Sequence, residues 1–221
     1  MKLPLVLALL FAAQSLHADW VLVEKTSTDG KGMTVKIKDN LIRNDMGEKM
    51  TVILNADEGV AQMYLHANKT LMRMDLNALK NASALAGKFL GGDSGPAPKP
   101  KATGEHVKVG DWDAEIYTWE SKVGTGKFYI AKDFPRFEEL NKAMDKVAKS
   151  MNNPMSSLYP NHADLPGMVV KTEMTVMGKP TTTELVSAKE GPLSADEFKG
   201  PEGYKEMKMP NIPGLFGPKA K

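Results

Sequence analysis

The chain of 221 residues contains no cysteine. A disulfide, a thiolate-bound metal and the lipidated N-terminal cysteine of a lipoprotein are therefore excluded. It also lacks an excess of charge: 29 Lys and Arg stand against 27 Asp and Glu, for a formal net charge of +2. So close a balance makes no field that gathers nucleic acid, and the interspersed lysines and acids describe a solvated surface of mixed sign. Beyond the first eighteen residues, no run is apolar for the roughly 20 positions a membrane-spanning helix needs. Phosphate-cradling glycine loops and the HExxH pair of zinc ligands are missing as well.

What stands at the start is MKLPLVLALLFAAQSLHA. Lys2 supplies a short positive region, Leu3 to Ala13 an apolar one, and Ser15 to Ala18 a small-residue exit. Residues 1–18 are thus expected to be a secretory signal peptide, cleaved after Ala18 or after Ser15, and the mature chain to be exported to the periplasm or beyond the cell.

Period-two alternation fills much of the rest. In Met33 to Lys38, the apolar Met33, Val35 and Ile37 share one face and Thr34, Lys36 and Lys38 the other, as in a strand with one buried side. Asp39-Asn40 turns the chain into Leu41 to Asp45. Met50, Val52 and Leu54 alternate next, followed by Val60 to His66 and Thr70 to Met74. Connections this short make antiparallel hairpins. The period then changes: Leu76, Leu79, Ser83, Ala86 and Phe89 recur at helical spacing behind Asp75 as N-cap. Gly91-Gly92 stops that helix and opens a Gly/Pro-rich stretch, 91–104, that reads as a loop.

Strands resume at Glu105 to Val109, Ala114 to Glu120 and Lys127 to Ala131, with Gly124-Thr125-Gly126 as a hairpin turn. Phe137, Leu140, Met144, Val147 and Met151 then step by three and four, opposite a face with Glu138, Lys142, Asp145 and Lys149. This is a second amphipathic helix. Met168 to Val176 and Thr181 to Ser187 are the last strands, and a Pro-, Gly- and Lys-rich tail follows. The pattern predicts an α+β fold: one curved antiparallel sheet whose inner face two amphipathic helices cover. A single domain over 19–210 is expected, with 211–221 a disordered tail.

Few constellations carry chemistry. Gly91-Gly92-Asp93-Ser94-Gly95-Pro96 nearly spells the surroundings of a serine-protease nucleophile. The only earlier mature histidine is His66, inside a strand pattern, and Pro96, Pro98 and Pro100 deny Ser94 the rigid setting it would need. His66, His106 and His162 have no second ligand at metal spacing. Methionine is the anomaly, with 15 in the chain, including the pairs Met72/Met74 and Met207/Met209. Thioethers can hold Cu(I). Most of these methionines, however, occupy apolar strand and helix positions and read as core filling, so no metal, cofactor or catalytic residue is assigned.

Two stretches carry a resemblance: Thr103 to Tyr117, TGEHVKVGDWDAEIY, and Phe198 to Met207, FKGPEGYKEM. Together with the lysine-rich hairpin Gly32 to Asp45, they resemble a family of exported bacterial proteins known as domain of unknown function 4412. That family is similar to relatives of the periplasmic lipoprotein carrier LolA. The resemblance implies a half-open antiparallel barrel lidded by helices around an apolar cavity, and it brings no catalytic residues.

The expected function is an exported binding protein that holds a lipid, an acyl chain or a lipoprotein anchor. A Met-lined interior suits apolar ligands of varied shape. The residues expected to face the cavity are Met33, Val35, Ile37, Met50, Val52, Leu54, Met144 and Val147. The alternative is a cell-envelope interaction protein with a closed core and no small ligand.

Overall fold

A computed structural model describes residues 19–27, 32–76, 98–121, 124–151, 160–161, 164–176 and 178–207, without the side chains of 146–151. Residues 1–18, expected to be a signal peptide, all but the first residue of the expected helix from Leu76, residues 91–97 and 211–221 lie outside the described residues.

Two meanders build the molecule. The first runs through β1 (Trp20–Thr26), β2 (Gly32–Lys38), β3 (Leu41–Met46), β4 (Met50–Asn55), β5 (Val60–Leu65) and β6 (Thr70–Asp75). The second comprises β7 (Lys101–Val109), β8 (Trp112–Ser121), β9 (Gly124–Ala131), β10 (Met168–Val176) and β11 (Lys179–Glu190). Helix α1 (Phe137–Met151) interrupts the second between β9 and β10, and a two-residue β12 (Lys205–Glu206) ends the described chain. Strands β1 and β11 pair antiparallel and join the meanders into one sheet, in the order β12-β6-β5-β4-β3-β2-β1-β11-β10-β9-β8-β7. Only the β12–β6 pair is parallel.

This corrects the expected architecture. The sheet is a single open one of twelve strands, and α1 is the only α-helix given bounds among the described residues, so an α+β half-barrel under two helices is not what forms. The physical reason is that apolar side chains are buried on both faces. Ile53 and Leu54 are neighbours in β4 and point to opposite sides, yet they are 4% and 3% exposed. Leu54 packs with Ala61 and Leu76, whereas Ile53 packs with Tyr64 and Leu71 under Tyr204.

The main core lies where the meanders meet. Trp20, Leu22 and Ile37 gather there with Val170, Leu185 and Leu140, the last being fully buried on α1. Trp119, Phe128, Ile130 and Leu165 form a separate cluster in the second meander. Gly124 and Gly126, expected in a turn, lie inside β9. A Cβ on Gly126 would stand 2.5 Å from Trp119 Nε1, and one on Gly124 2.2 Å from the Thr175 carbonyl oxygen. Close approach is what glycine supplies at both positions. Lys101 to Gly104, read as the end of a loop, belong to β7.

The segment after β11 folds back over the first meander. Phe198 is buried, Lys36 Nζ reaches Glu197 Oε2 at 2.9 Å, and Arg43 Nη1 donates to the carbonyls of Glu197 and Lys199 at 3.1 and 3.2 Å. The FKGPEGY stretch is therefore a structural clasp. No helix among the described residues is long and apolar enough to cross a membrane.

Candidate ligand-binding site

Helix α1 forms because Phe137, Leu140 and Met144 recur along one side while Glu138 and Glu139 place negative charge in its first turn, where the helix dipole favours it. Just before it, Arg136 adopts a left-handed φ of 52° and forms ion pairs with Glu139 and with Glu190 at the end of β11. The helix start is thus tied to the seam of the sheet. Phe134 packs against Trp112, ring centroids 6.0 Å apart.

Leu140 seats the helix on the core, but the contact does not continue evenly. Beside it, between α1 and strands β1, β2, β10 and β11, lies a cavity of about 290 Å³. Met33, Phe137, Met144, Met168 and Leu185 supply its apolar wall. Two β-bulges border it: pairing slips between Val23 and Glu24 on β1 and between Val169 and Lys171 on β10. Bulges bend a strand and re-aim its side chains.

The polar side of the cavity is Glu24, with Asn141, Lys171, Thr172 and Thr183. Glu24 continues the face of Trp20 and Leu22, so a carboxyl stands where a third apolar residue belongs. It forms no hydrogen bond or ion pair among the described residues. The cations around it are engaged elsewhere: Lys25 with Glu184 at 2.8 Å and Lys171 with Glu173 at 2.6 Å. Burial, with nothing to offset it, pushes the Glu24 carboxyl above its ordinary pKa.

The sign of the consequence follows from linkage. A carboxyl whose folded pKa is raised stabilises the fold below its unfolded value and loses that contribution as pH rises through the folded value. Glu24→Gln is therefore expected to raise the melting temperature at pH 7 and to flatten the decline of stability above the ordinary carboxylate range. A melting series from pH 4 to 8 reads both, and an unchanged slope would show that Glu24 is solvated.

The structure brings Met33 and Met144 together on this cavity. Ile37 and Val35 belong to the main core, Leu54 to the smaller cluster around Ala61 and Leu76. Met50 and Val52 are half-buried on β4, in the first meander. The side chain of Val147 lies outside the described residues. Glu24, Phe137 and Leu185 were not anticipated as lining. Only Glu24 carried a signal, as a charge in phase with Trp20 and Leu22.

A larger cleft of about 800 Å³ opens beside Lys101, Trp119, Lys127, Glu173 and Thr181. It is somewhat more open to solvent than the smaller cavity beside α1. Elsewhere, His66 is held between two hydroxyls. Its Nδ1 lies 2.5 Å from Tyr204 Oη, and its Nε2 lies 3.1 Å from Thr51 Oγ1, which donates to Asp45 Oδ1 at 2.6 Å. Burial would raise the Asp45 pKa, but the hydrogen bonds from Arg43 and Thr51 outweigh it and hold the pKa low. His66 thus fastens the clasp. His106 pairs with Asp113 at the surface at 3.2 Å. No group of three His, Asp or Glu side chains converges as for a metal among the described residues.

A family model described as "Domain of unknown function (DUF4412)" matches residues 21–204. No curated protein matches the sequence. Among solved structures, the chain is similar to PNGF-II in a C2 crystal form, at a TM-score of 0.40 and 10% identity, over 86% of this chain and 31% of that one. It is similar to the P21 form of PNGF-II at the same score and identity, over 86% of this chain and 32% of that one. The chain thus spans about a third of the length of those structures.

Proposed function

We propose, for a chain that belongs to the family of Domain of unknown function (DUF4412), that it is an exported binding protein holding one apolar chain between α1 and the seam of the sheet. The observation that carries this reading is the cavity of about 290 Å³ walled by Met33, Phe137, Met144, Met168 and Leu185. Small-molecule sites run from roughly 300 to 1,000 Å³, are mostly apolar and hold a few oriented polar groups. A volume at the bottom of that range suits a single acyl or alkyl chain and is too small for a multiply acylated anchor. Three methionines in the wall let it adapt to chains of different shape. The signal-like segment 1–18 supports export.

Glu24 orients the ligand. An unpaired carboxyl on an apolar wall disfavours a carboxylate head and favours a head that donates a hydrogen bond or carries positive charge. The test is displacement of a neutral fluorescent apolar probe by decylamine, decanol and decanoate at pH 7. Decylamine is expected to displace the probe at least tenfold more effectively than decanoate, and Glu24→Gln to shrink that difference. A chain that binds neither the probe nor any of the three compounds would overturn the reading.

One observation favours a second reading, a cell-envelope interaction protein without a small ligand. Strand β7 lies at the sheet edge with eight of its nine residues exposed, and no strand among the described residues pairs with its outer side. Such an edge can accept a strand from a partner. Its pairing with β8 shifts between Ala102 and His106, and Lys101, Glu105 and Lys108 stud it. A bulge and charges also protect an edge from being joined.

A further inference from the structure

Strand register builds the larger cleft in the second meander. Lys101 on β7 lies opposite Thr118 on β8, and Thr118 opposite Lys127 on β9. Lys127 lies opposite Glu173 on β10, and Glu173 opposite Thr182 on β11. Directly opposed residues share a face of the sheet, so these five side chains form one row across five strands. A second row, two residues along, holds Glu120, Thr125 and Thr175. All eight residues line the cleft. Trp119 and Met174 alternate with them and turn to the opposite face, where they pack with Phe128 and Leu165. The cleft thus has a floor of paired backbone and walls of polar side chains.

The first row is cationic at one end. Neighbouring strands stand about 4.8 Å apart, so Lys101 and Lys127 are roughly 10 Å apart with Thr118 between them. Their flexible four-carbon stems close that gap over a single oxyanion, to which the Thr118 hydroxyl also donates. Both lysines are exposed, and neither forms an ion pair among the described residues. Glu173, the acid opposite Lys127, is taken by Lys171 at 2.6 Å. Lys99 adds a third cation to the lining. The second row limits the charge of a ligand. The Glu120 carboxylate accepts hydrogen bonds from hydroxyls and repels a second anion. Strands β8 to β10 are each paired on both sides, so the floor offers no free backbone edge to an incoming peptide strand.

We propose that this cleft is a second binding site, for an acidic sugar whose carboxylate sits between Lys101 and Lys127 and whose ring hydroxyls meet Glu120 and the threonines. A volume of about 800 Å³ lies within the range of small-molecule sites, and it accommodates the sugar acid free or as a unit of an acidic glycan. The cleft shares no lining residue with the cavity beside α1, so its success or failure is independent of the apolar site.

The test is calorimetric titration of the full chain with galacturonate, tetragalacturonate, the methyl ester of tetragalacturonate, tetraglutamate and inorganic phosphate. Saturable binding of the sugar acids is expected, at least tenfold tighter than that of the ester, the peptide or phosphate. A tetramer that binds more tightly than the monomer supports the site with a glycan as its ligand, and equal affinities support it with a free sugar acid. Lys101→Gln/Lys127→Gln alters two exposed side chains and is expected to weaken binding at least tenfold with the melting temperature unchanged. Lys108→Gln removes an exposed lysine of β7 outside the cleft and is expected to leave the affinity as it is. No saturable binding of either sugar acid, equal affinity for the ester, the peptide or phosphate, a folded double variant with wild-type affinity, or an equal loss in Lys108→Gln would each overturn the site. The comparison of acid with ester uses the wild-type chain alone and decides the matter even if the double variant fails to fold.

Discussion

Leu140→Ala is expected to cost about 2–5 kcal/mol, the range for truncating a leucine in a close-packed core. At roughly 2–4 °C per kcal/mol for a chain of this size, the melting temperature should fall by about 4–20 °C. Leu140 is fully buried in the cluster that also holds Trp20, Leu22, Val170 and Leu185. Its loss would empty the point where the helix is seated and leave the partly buried Phe137, Ala143 and Met144, with the Arg136–Glu190 ion pair, to hold it. The same substitution should weaken binding of an apolar probe, because the cavity wall formed by Phe137 and Met144 is positioned through Leu140. A thermal melt reads the first effect. A cost below about 1 kcal/mol, the level of a surface change, would mean that α1 is not seated on the core.

Gly200→Ala is the second large effect. A Cβ there would stand 1.8 Å from Tyr64 Oη and 2.2 Å from its Cζ, closer than any van der Waals contact allows. Tyr64 cannot retreat cheaply. It is buried against Ile53 and Leu71, its ring stands edge-on to Tyr204 with centroids 5.3 Å apart, and its hydroxyl donates to Gln62 at 2.9 Å. The clasp must lift instead. Overpacking of this kind costs about 1–3 kcal/mol, and here it also releases the contacts of Arg43 with Glu197 and Lys199 and of Tyr204 with His66. Trypsin cleavage after Lys199 should accelerate at least tenfold. Unchanged cleavage with an unchanged melting temperature would show that the clasp does not bear on Tyr64.

Where local pattern decides the structure, the sequence was legible. Alternation in Met33 to Lys38, Met50 to Asn55 and Val60 to Leu65 marks strands that form, and the spacing of Phe137, Leu140 and Met144 marks α1. What escaped depends on partners remote in sequence. Strand β1 is the seam, yet its importance arises only from pairing with β11, some 160 positions away. Alternation also says which residues share a face without saying what lies against it. Both faces of β4 are covered, one by residues near Leu76 and the other by the segment that carries Tyr204. A one-sided sheet under two helices was therefore the wrong picture. Gly124 and Gly126 looked like a turn because glycine serves turns and close approaches alike.

The site was legible in part for the same reason. Met33 and Met144 are apolar positions of a strand and a helix, which periodicity identifies, but that they meet over one cavity depends on tertiary packing. Met50, Val52 and Leu54 have the same pattern and lie elsewhere. Glu24 breaks an apolar face, and a break of that kind is the mark left in sequence by a buried polar group at a cavity.

The most direct measurement is uptake of a neutral fluorescent apolar probe by the wild-type chain and by Met144→Trp, whose indole would occupy the cavity beneath α1. One probe per wild-type chain, with at least tenfold weaker uptake by a Met144→Trp variant of unchanged melting temperature, is the expected result. Equal uptake by the two, or none by either, would contradict a ligand held between α1 and the seam.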